Sequence, residues 1–125
     1  MKVLLVEDNI INQRIIVLNL NKLGYTVDIA SNGEEAVDLF KKEKYGLILM
    51  DIMMPVMDGI EATREIRKIE KPEGKRIPII ALTANALNSD RENCINSGMD
   101  EYMTKPFDLN LLKEYIQKLK IQSGS

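Results

Sequence analysis

The chain has 125 residues, 45% of them apolar and 29% charged, with a formal net charge of -2 and a pI near 5.2. That length suits one domain with a real core, and the acidic balance argues against a nucleic-acid surface. No stretch approaches the roughly 18 unbroken apolar residues of a membrane span, no signal-peptide pattern is present, and the absence of histidine excludes His triads, His-ligated metals and phosphohistidine within the sequence.

Strand-like and helix-like segments alternate along the chain. "KVLLV" (2–6) is continuously apolar, as a buried strand is, and a helix is expected over about 9–23, stopped at Gly24. "YTVDIA" (25–30) alternates in the manner of an edge strand. Ser31 to Glu34 has capping-box spacing and opens a helix to about Lys44. "LILMD" (47–51) is apolar until its last residue, and Asp58 with Glu61 has N-cap and N3 spacing for a helix over about 59–70. "KPEGKR" (71–76) is a solvated loop. "IPIIALT" (77–83) is a buried strand with Pro78 near its start, where a missing N–H is tolerated.

A helix over about 88–97 ends at Gly98, "EYM" (101–103) is a short strand, and a last helix covers about 109–121. One domain is expected over 1–121, with a flexible tail at 122–125. Cys94, the single cysteine, is expected to pack within its helix, and its lack of a disulfide partner suits a cytoplasmic setting.

This is five repeats of strand then helix, an α/β pattern that implies a parallel sheet covered on both faces. The flavodoxin-like strand order 2-1-3-4-5 is the expected choice at this size. Ligands of such sheets bind outside the carboxyl ends of the strands. Those ends carry Glu7 and Asp8 after the first strand, Asp51 at the third, Thr83 at the fourth and Lys105 after the fifth. A single acid at a strand end is usually a helix cap, and Asp8 suits that role as well. Several loops converging with complementary chemistry are harder to assign to capping.

Three carboxylates in one cleft repel and call for positive charge. Oxygen ligands without His or Cys suit a hard divalent ion, and Mg2+ takes one or two carboxylates while keeping waters for phosphate oxygens. Carboxylate, Mg2+, lysine and hydroxyl are together what phosphoryl transfer requires, with an aspartate as nucleophile. The chain has neither G-x-x-x-x-G-K-[ST] nor G-x-G-x-x-G, and it lacks G-x-S-x-G, so nucleotide cradling and serine hydrolysis are unsupported.

The pieces "VEDN", "LILMDIMMPVMDG", "ALTA" and "YMTKPF" together resemble the response-regulator receiver domains of two-component signalling over about residues 2–120. "VEDNIINQ" and "GMDEYMTKPF" are most similar to receivers attached to hybrid sensor histidine kinases. The resemblance implies Asp51 as phosphoacceptor, with Glu7, Asp8, Asp51 and the Met53 carbonyl holding Mg2+. It implies Thr83 and the Ala84 N–H on the phosphoryl oxygens, Lys105 paired with another, Pro106 following a cis peptide, and Tyr102 as the switch aromatic. Phosphorylation is then expected to draw Thr83 inward, let Tyr102 turn toward Ala84, and alter the face formed by the fourth helix, fifth strand and fifth helix. The resemblance also implies that Met53 and Asn85 occupy positions that tune phosphoryl lifetime, where the bulk of Met53 predicts modest self-dephosphorylation although Asn85 could still orient an attacking water.

The donor must lie outside this histidine-free chain, on a histidine kinase or a histidine phosphotransfer protein. In the first helix Ile16, Leu20 and Leu23 form one apolar stripe, while Ile11, Ile15 and Leu18 form a second, the expected docking patch. Asn19 is polar where relatives often carry an apolar residue. Met50 is expected in the core, and Met53, Met54 and Met57 around the acceptor. No nucleic acid or membrane contact is expected, and no turnover of small metabolites. A rival reading, a Mg2+-dependent aspartyl-phosphate phosphohydrolase, usually places a second acid two residues after its nucleophile, where this chain has Met53. A second rival, a structural flavodoxin-like binding module, predicts no modification by a phosphodonor.

Overall fold

Val3 to Val6, Leu47 to Met50 and Ile79 to Leu82 are all buried, a pattern that strands adopt only when both faces of their sheet are covered. The computed structural model describes residues 1–52, 57–70, 76–83, 88–104 and 108–119, with backbone alone at 88–91. Five strands and five helices alternate: β1 (Lys2–Val6), α1 (Ile10–Lys22), β2 (Thr26–Ala30), α2 (Gly33–Lys42), β3 (Leu47–Asp51), α3 (Gly59–Glu70), β4 (Ile79–Thr83), α4 (Asn88–Ser97), β5 (Glu101–Thr104) and α5 (Leu109–Lys118). The strands form one parallel sheet in the order β2-β1-β3-β4-β5, as the sequence predicts.

Alternation along each strand divides the core in two. Val3, Leu5, Leu47, Leu49, Ile80 and Leu82 pack with Ile16 and Leu20 of α1 and with Leu112 and Ile116 of α5. Leu4, Val6, Ile48, Met50, Ile79 and Ala81 face α2, α3 and α4 through Ala36, Val37, Ala62, Ile66 and Cys94. Each fully buried aliphatic side chain contributes about 1.5–3 kcal/mol, so the three central strands form a rigid base for whatever their ends carry. Cys94 is buried, as expected. The edge strand β2 departs from the expected polar-apolar alternation: Thr26 is exposed, but so is the apolar Ile29, while Val27 and Asp28 are both half-buried.

Helix ends follow local chemistry, with corrections to the expected bounds. The α1 cap is Asn9, whose side chain accepts from the Asn12 N–H at 3.0 Å, so Asp8 is not the cap. The α2 cap is Asn32 rather than Ser31: its side chain accepts from the Glu35 N–H at 2.9 Å, and Glu35 in turn accepts from the Ser31 N–H at 3.1 Å. Both Ser31 and Asn32 can cap, and both Glu34 and Glu35 can sit at N3. The choice falls to Asn32 because the Gly33 N–H donates to the Met57 carbonyl at 2.9 Å, which fixes the first helical residue. Asp58 caps α3 as expected, accepting from the Glu61 N–H at 2.9 Å.

α2 stops at Lys42 and α5 at Lys118, short of the expected Lys44 and 121. The tail at 122–125 lies outside the described residues. Strand β4 begins one residue after Pro78, whose carbonyl still accepts from the Ile48 N–H at 3.0 Å. Gly24 and Gly98 take φ of 83° and 114°, a conformation open to glycine without a Cβ penalty, and they terminate α1 and α4. No helix among the described residues is long and apolar enough to cross a membrane.

Candidate functional site: an acidic trio at the carboxyl ends of the strands

The sequence places acids where β1 and β3 end, and the sheet register brings those ends together. Val6 pairs with Met50, so Glu7, the next residue, lies level with Asp51. Glu7 is 0% exposed and Asp51 2% exposed, whereas Asp8 faces solvent. One carboxylate oxygen from each of Glu7, Asp8 and Asp51 lies within 4.8 Å of the others. Thr83, 1% exposed, ends β4 one residue beyond the Leu82 that pairs with Asp51. A parallel neighbour is about 4.8 Å away, so Asp51 and Thr83 end adjacent strands at one rim.

Two unit charges about 4 Å apart near a protein surface repel by roughly 4 kcal/mol. Three carboxylates, two of them buried, therefore form a cluster that could hold a cation, with its open side at Asp8. The donor set passes the test for a hard ion. It contains only anionic oxygens, and oxygens sharing an octahedral Mg2+ lie roughly 3–4 Å apart, a spacing this cluster accommodates with a water in place of one direct ligand.

Neighbouring backbone fixes the position of Asp51. The Ile52 N–H donates to the Leu82 carbonyl at 3.1 Å, and the Gly59 N–H to the Ile52 carbonyl at 3.4 Å. Gly59, first residue of α3, sits so close that a β-carbon there would overlap the Asp51 carbonyl oxygen and stand 2.9 Å from the Ile52 Cα. The buried Thr63 hydroxyl donates to the Gly59 carbonyl at 2.8 Å, tightening this first turn. Sequence reasoning used Gly59 only as a helix start. The signal available was a glycine directly after the capping Asp58, in a helix where every residue but proline would propagate better.

The remaining expected groups divide into two sets. Tyr102 is half-buried on β5, paired in register with Ala81, and packs against the core beneath α2, α3 and α4. Met50 is fully buried and Met57 partly so. Met53, Met54, Ala84, Asn85, Lys105 and Pro106 lie outside the described residues. On α1 the two apolar stripes differ in burial: Ile16 and Leu20 are buried and Leu23 is half-buried, while Ile11, Ile15 and Leu18 are 68%, 49% and 64% exposed. Asn19 turns its side-chain amide back to the Ile15 carbonyl at 2.8 Å, so its polarity is absorbed within the helix.

Comparison with known proteins agrees with this geometry. Residues 3–117 match the family described as the response regulator receiver domain. The chain is 48% identical over 120 residues to hybrid signal transduction histidine kinase I of Dictyostelium discoideum, covering 92% of this chain and 7% of that protein. It thus spans a small part of such relatives. Among solved structures, the receiver domain of sensor histidine kinase PA1611 from Pseudomonas aeruginosa PAO1, with a magnesium ion coordinated in its active-site cleft, superposes with a TM-score of 0.84 at 49% identity, covering 94% of each chain. The receiver domain of Saccharomyces cerevisiae Ssk1, co-crystallised with the histidine phosphotransfer protein Ypd1, gives a TM-score of 0.88 at 38% identity, covering 98% of this chain and 92% of the other.

Proposed function

The chain belongs to the response regulator receiver domain family of two-component signalling, and we propose that Asp51 accepts a phosphoryl group from a phosphohistidine on a partner protein. The observation that carries this reading is the convergence of Glu7, Asp8 and Asp51 within 4.8 Å at the carboxyl ends of β1 and β3. Those three side chains, with the Met53 carbonyl, are the residues that would hold Mg2+. Once bound, the ion supplies charge neutralisation for phosphoryl transfer.

An Asp51 carboxylate oxygen attacks phosphorus, the P–N bond of the donor breaks, and the imidazole nitrogen keeps the electron pair and takes up a proton. Buried strand β3 limits the positions open to that carboxylate, which favours in-line attack. By their places in the family's motifs, Thr83 and the Ala84 N–H receive the phosphoryl oxygens and Lys105 pairs with another. Engagement of Thr83 biases Tyr102 and hence the surface of α4, β5 and α5. The chain catalyses its own acyl-phosphate formation and hydrolysis and turns over no small metabolite.

The partner is a histidine kinase or histidine phosphotransfer protein in the cytoplasm. Ile11, Ile15 and Leu18 form its docking patch, joined by Ile10 at 61% exposure. Exposed aliphatic side chains clustered on one helix are a feature of protein contact surfaces, and α1 begins two residues after Asp8.

Transfer from a phosphorylated histidine phosphotransfer protein tests the reading. The phosphoryl group is expected on the wild type in the presence of Mg2+ and absent from Asp51→Asn. Equal labelling of both, or retention by the donor in the presence of wild type, would overturn it.

A further inference from the structure

We infer that Gln13 is a positioning residue for the cation site, acting through the peptide unit that joins Glu7 to Asp8. This rests on the reading of the acidic trio given above. The Gln13 side-chain amide donates from Nε2 to the Glu7 carbonyl oxygen at 2.6 Å. The N–H of the same peptide unit, that of Asp8, donates to Glu7 Oε2 at 3.1 Å. Both polar ends of the one peptide plane between the two acids are therefore bonded, one by α1 and one by the buried acid itself.

The place of that bond in the fold shows why a side chain is needed. The Glu7 N–H still belongs to the sheet, donating to the Ala30 carbonyl at 3.0 Å. The N–H and C=O of a strand residue point to the same side, so the Glu7 carbonyl is directed toward β2 as well. But β2 ends at Ala30, and the chain there turns into the Asn32 cap of α2. Gln13 supplies the donor that a longer strand would have offered.

α1 is itself fixed at this end by the Asn9 cap and by the Gln13 N–H, which donates to the Asn9 carbonyl at 2.9 Å. The side chain thus transmits the rigid placement of a capped, core-packed helix to the loop that carries Asp8. Asp8 is the exposed member of the trio and has no strand to hold it. Its direction is set by the peptide plane before it, and that plane is the one Gln13 grips. Partners that orient metal-binding groups typically affect affinity by 10–100-fold.

The test is Mg2+ titration of the full chain followed by amide NMR, with urea unfolding measured with and without the ion. Gln13→Met keeps length and helix propensity but removes the donor. It is expected to weaken Mg2+ binding about tenfold, and so to lower stability more in the presence of the ion than in its absence, where only the single hydrogen bond is lost. A purely structural role would lower stability equally with and without Mg2+ and leave the affinity unchanged, and that result overturns the inference. In the wild type, the Gln13 side-chain amide protons are expected to exchange slowly and to shift on Mg2+ saturation. Fast exchange without a shift contradicts the inference even if the variant fails to fold. Should the wild type bind no Mg2+, the reading of the trio falls first and this inference with it.

Discussion

Gly59 abuts the backbone of Asp51 so closely that the start of α3 and the end of β3 leave no room for a methyl group between them. Replacement with alanine must push either the helix or the strand, and the obstructing atoms include backbone of Asp51 and Ile52, which cannot rotate aside. Gly59→Ala is expected to cost about 1–3 kcal/mol, as overpacked positions do, and to slow phosphoryl acceptance because Asp51 moves with its strand. Urea unfolding and the rate of Asp51 phosphorylation by a small phosphodonor check both effects. Wild-type values in both would mean that this contact does not hold the acceptor in place.

The Tyr115 hydroxyl donates to the Tyr102 carbonyl at 2.9 Å, and Lys118 pairs with Glu101 at 2.6 Å, so α5 is tied to β5 at two successive residues of the strand. Tyr115→Phe keeps the ring in its cluster against the sheet and removes the hydroxyl. Loss of about 1 kcal/mol is expected, with faster hydrogen exchange at Tyr102 to Thr104. Unchanged exchange along β5 would show that α5 does not depend on this bond for its grip.

Arg67 joins the opposite rim of the sheet. Its guanidinium donates to the Gly98 carbonyl at 2.8 Å, the Ile77 carbonyl at 2.7 Å, Glu70 at 2.6 Å and Asp100 at 2.8 Å. Only 14% of the side chain is exposed. Arg67→Met leaves two mostly buried acids short of a partner, although Arg76 still reaches Asp100 at 2.9 Å. A cost of about 3 kcal/mol is expected. These bonds lie ahead of β4 and β5, at the strand ends remote from Asp51, so phosphoryl acceptance by the folded protein should be preserved. A large loss of acceptance at full stability would contradict that division of labour.

The proposed docking patch on α1 makes a comparative prediction. Ile11→Ser with Leu18→Ser removes exposed apolar surface and touches none of the buried core. Transfer from a phosphohistidine protein should slow at least several-fold more than acceptance from a small donor. Equal slowing of both would place the partner elsewhere.

Much of this molecule was legible in its sequence because the central strands are unbroken aliphatic runs and end in groups of a different chemistry. Val6 stops at Glu7 and Met50 stops at Asp51, which gives both the buried sheet and the rim that matters. The α2 cap was not legible, since Ser31-Glu34 and Asn32-Glu35 offer the same spacing and only the bond from Gly33 to Met57 decides between them. The sequence marks Ile11, Ile15 and Leu18 on α1 as the expected docking patch but does not decide whether packing buries that stripe as well. The sheet has one surface to offer that helix, so Ile16 and Leu20 are covered and Ile11, Ile15 and Leu18 are left outside. Gly59 and Gln13 act through distances between separate segments, and residue identity alone does not encode such distances.

The central claim is that Asp51 becomes a phosphoaspartate in a Mg2+-dependent step, and intact mass after incubation with acetyl phosphate tests it most directly. The wild type is expected to gain the mass of one phosphoryl group when Mg2+ is present and none when the ion is chelated, while Asp51→Asn stays unmodified throughout. A wild type that gains nothing, or an Asp51→Asn variant modified to the same extent, would contradict the account.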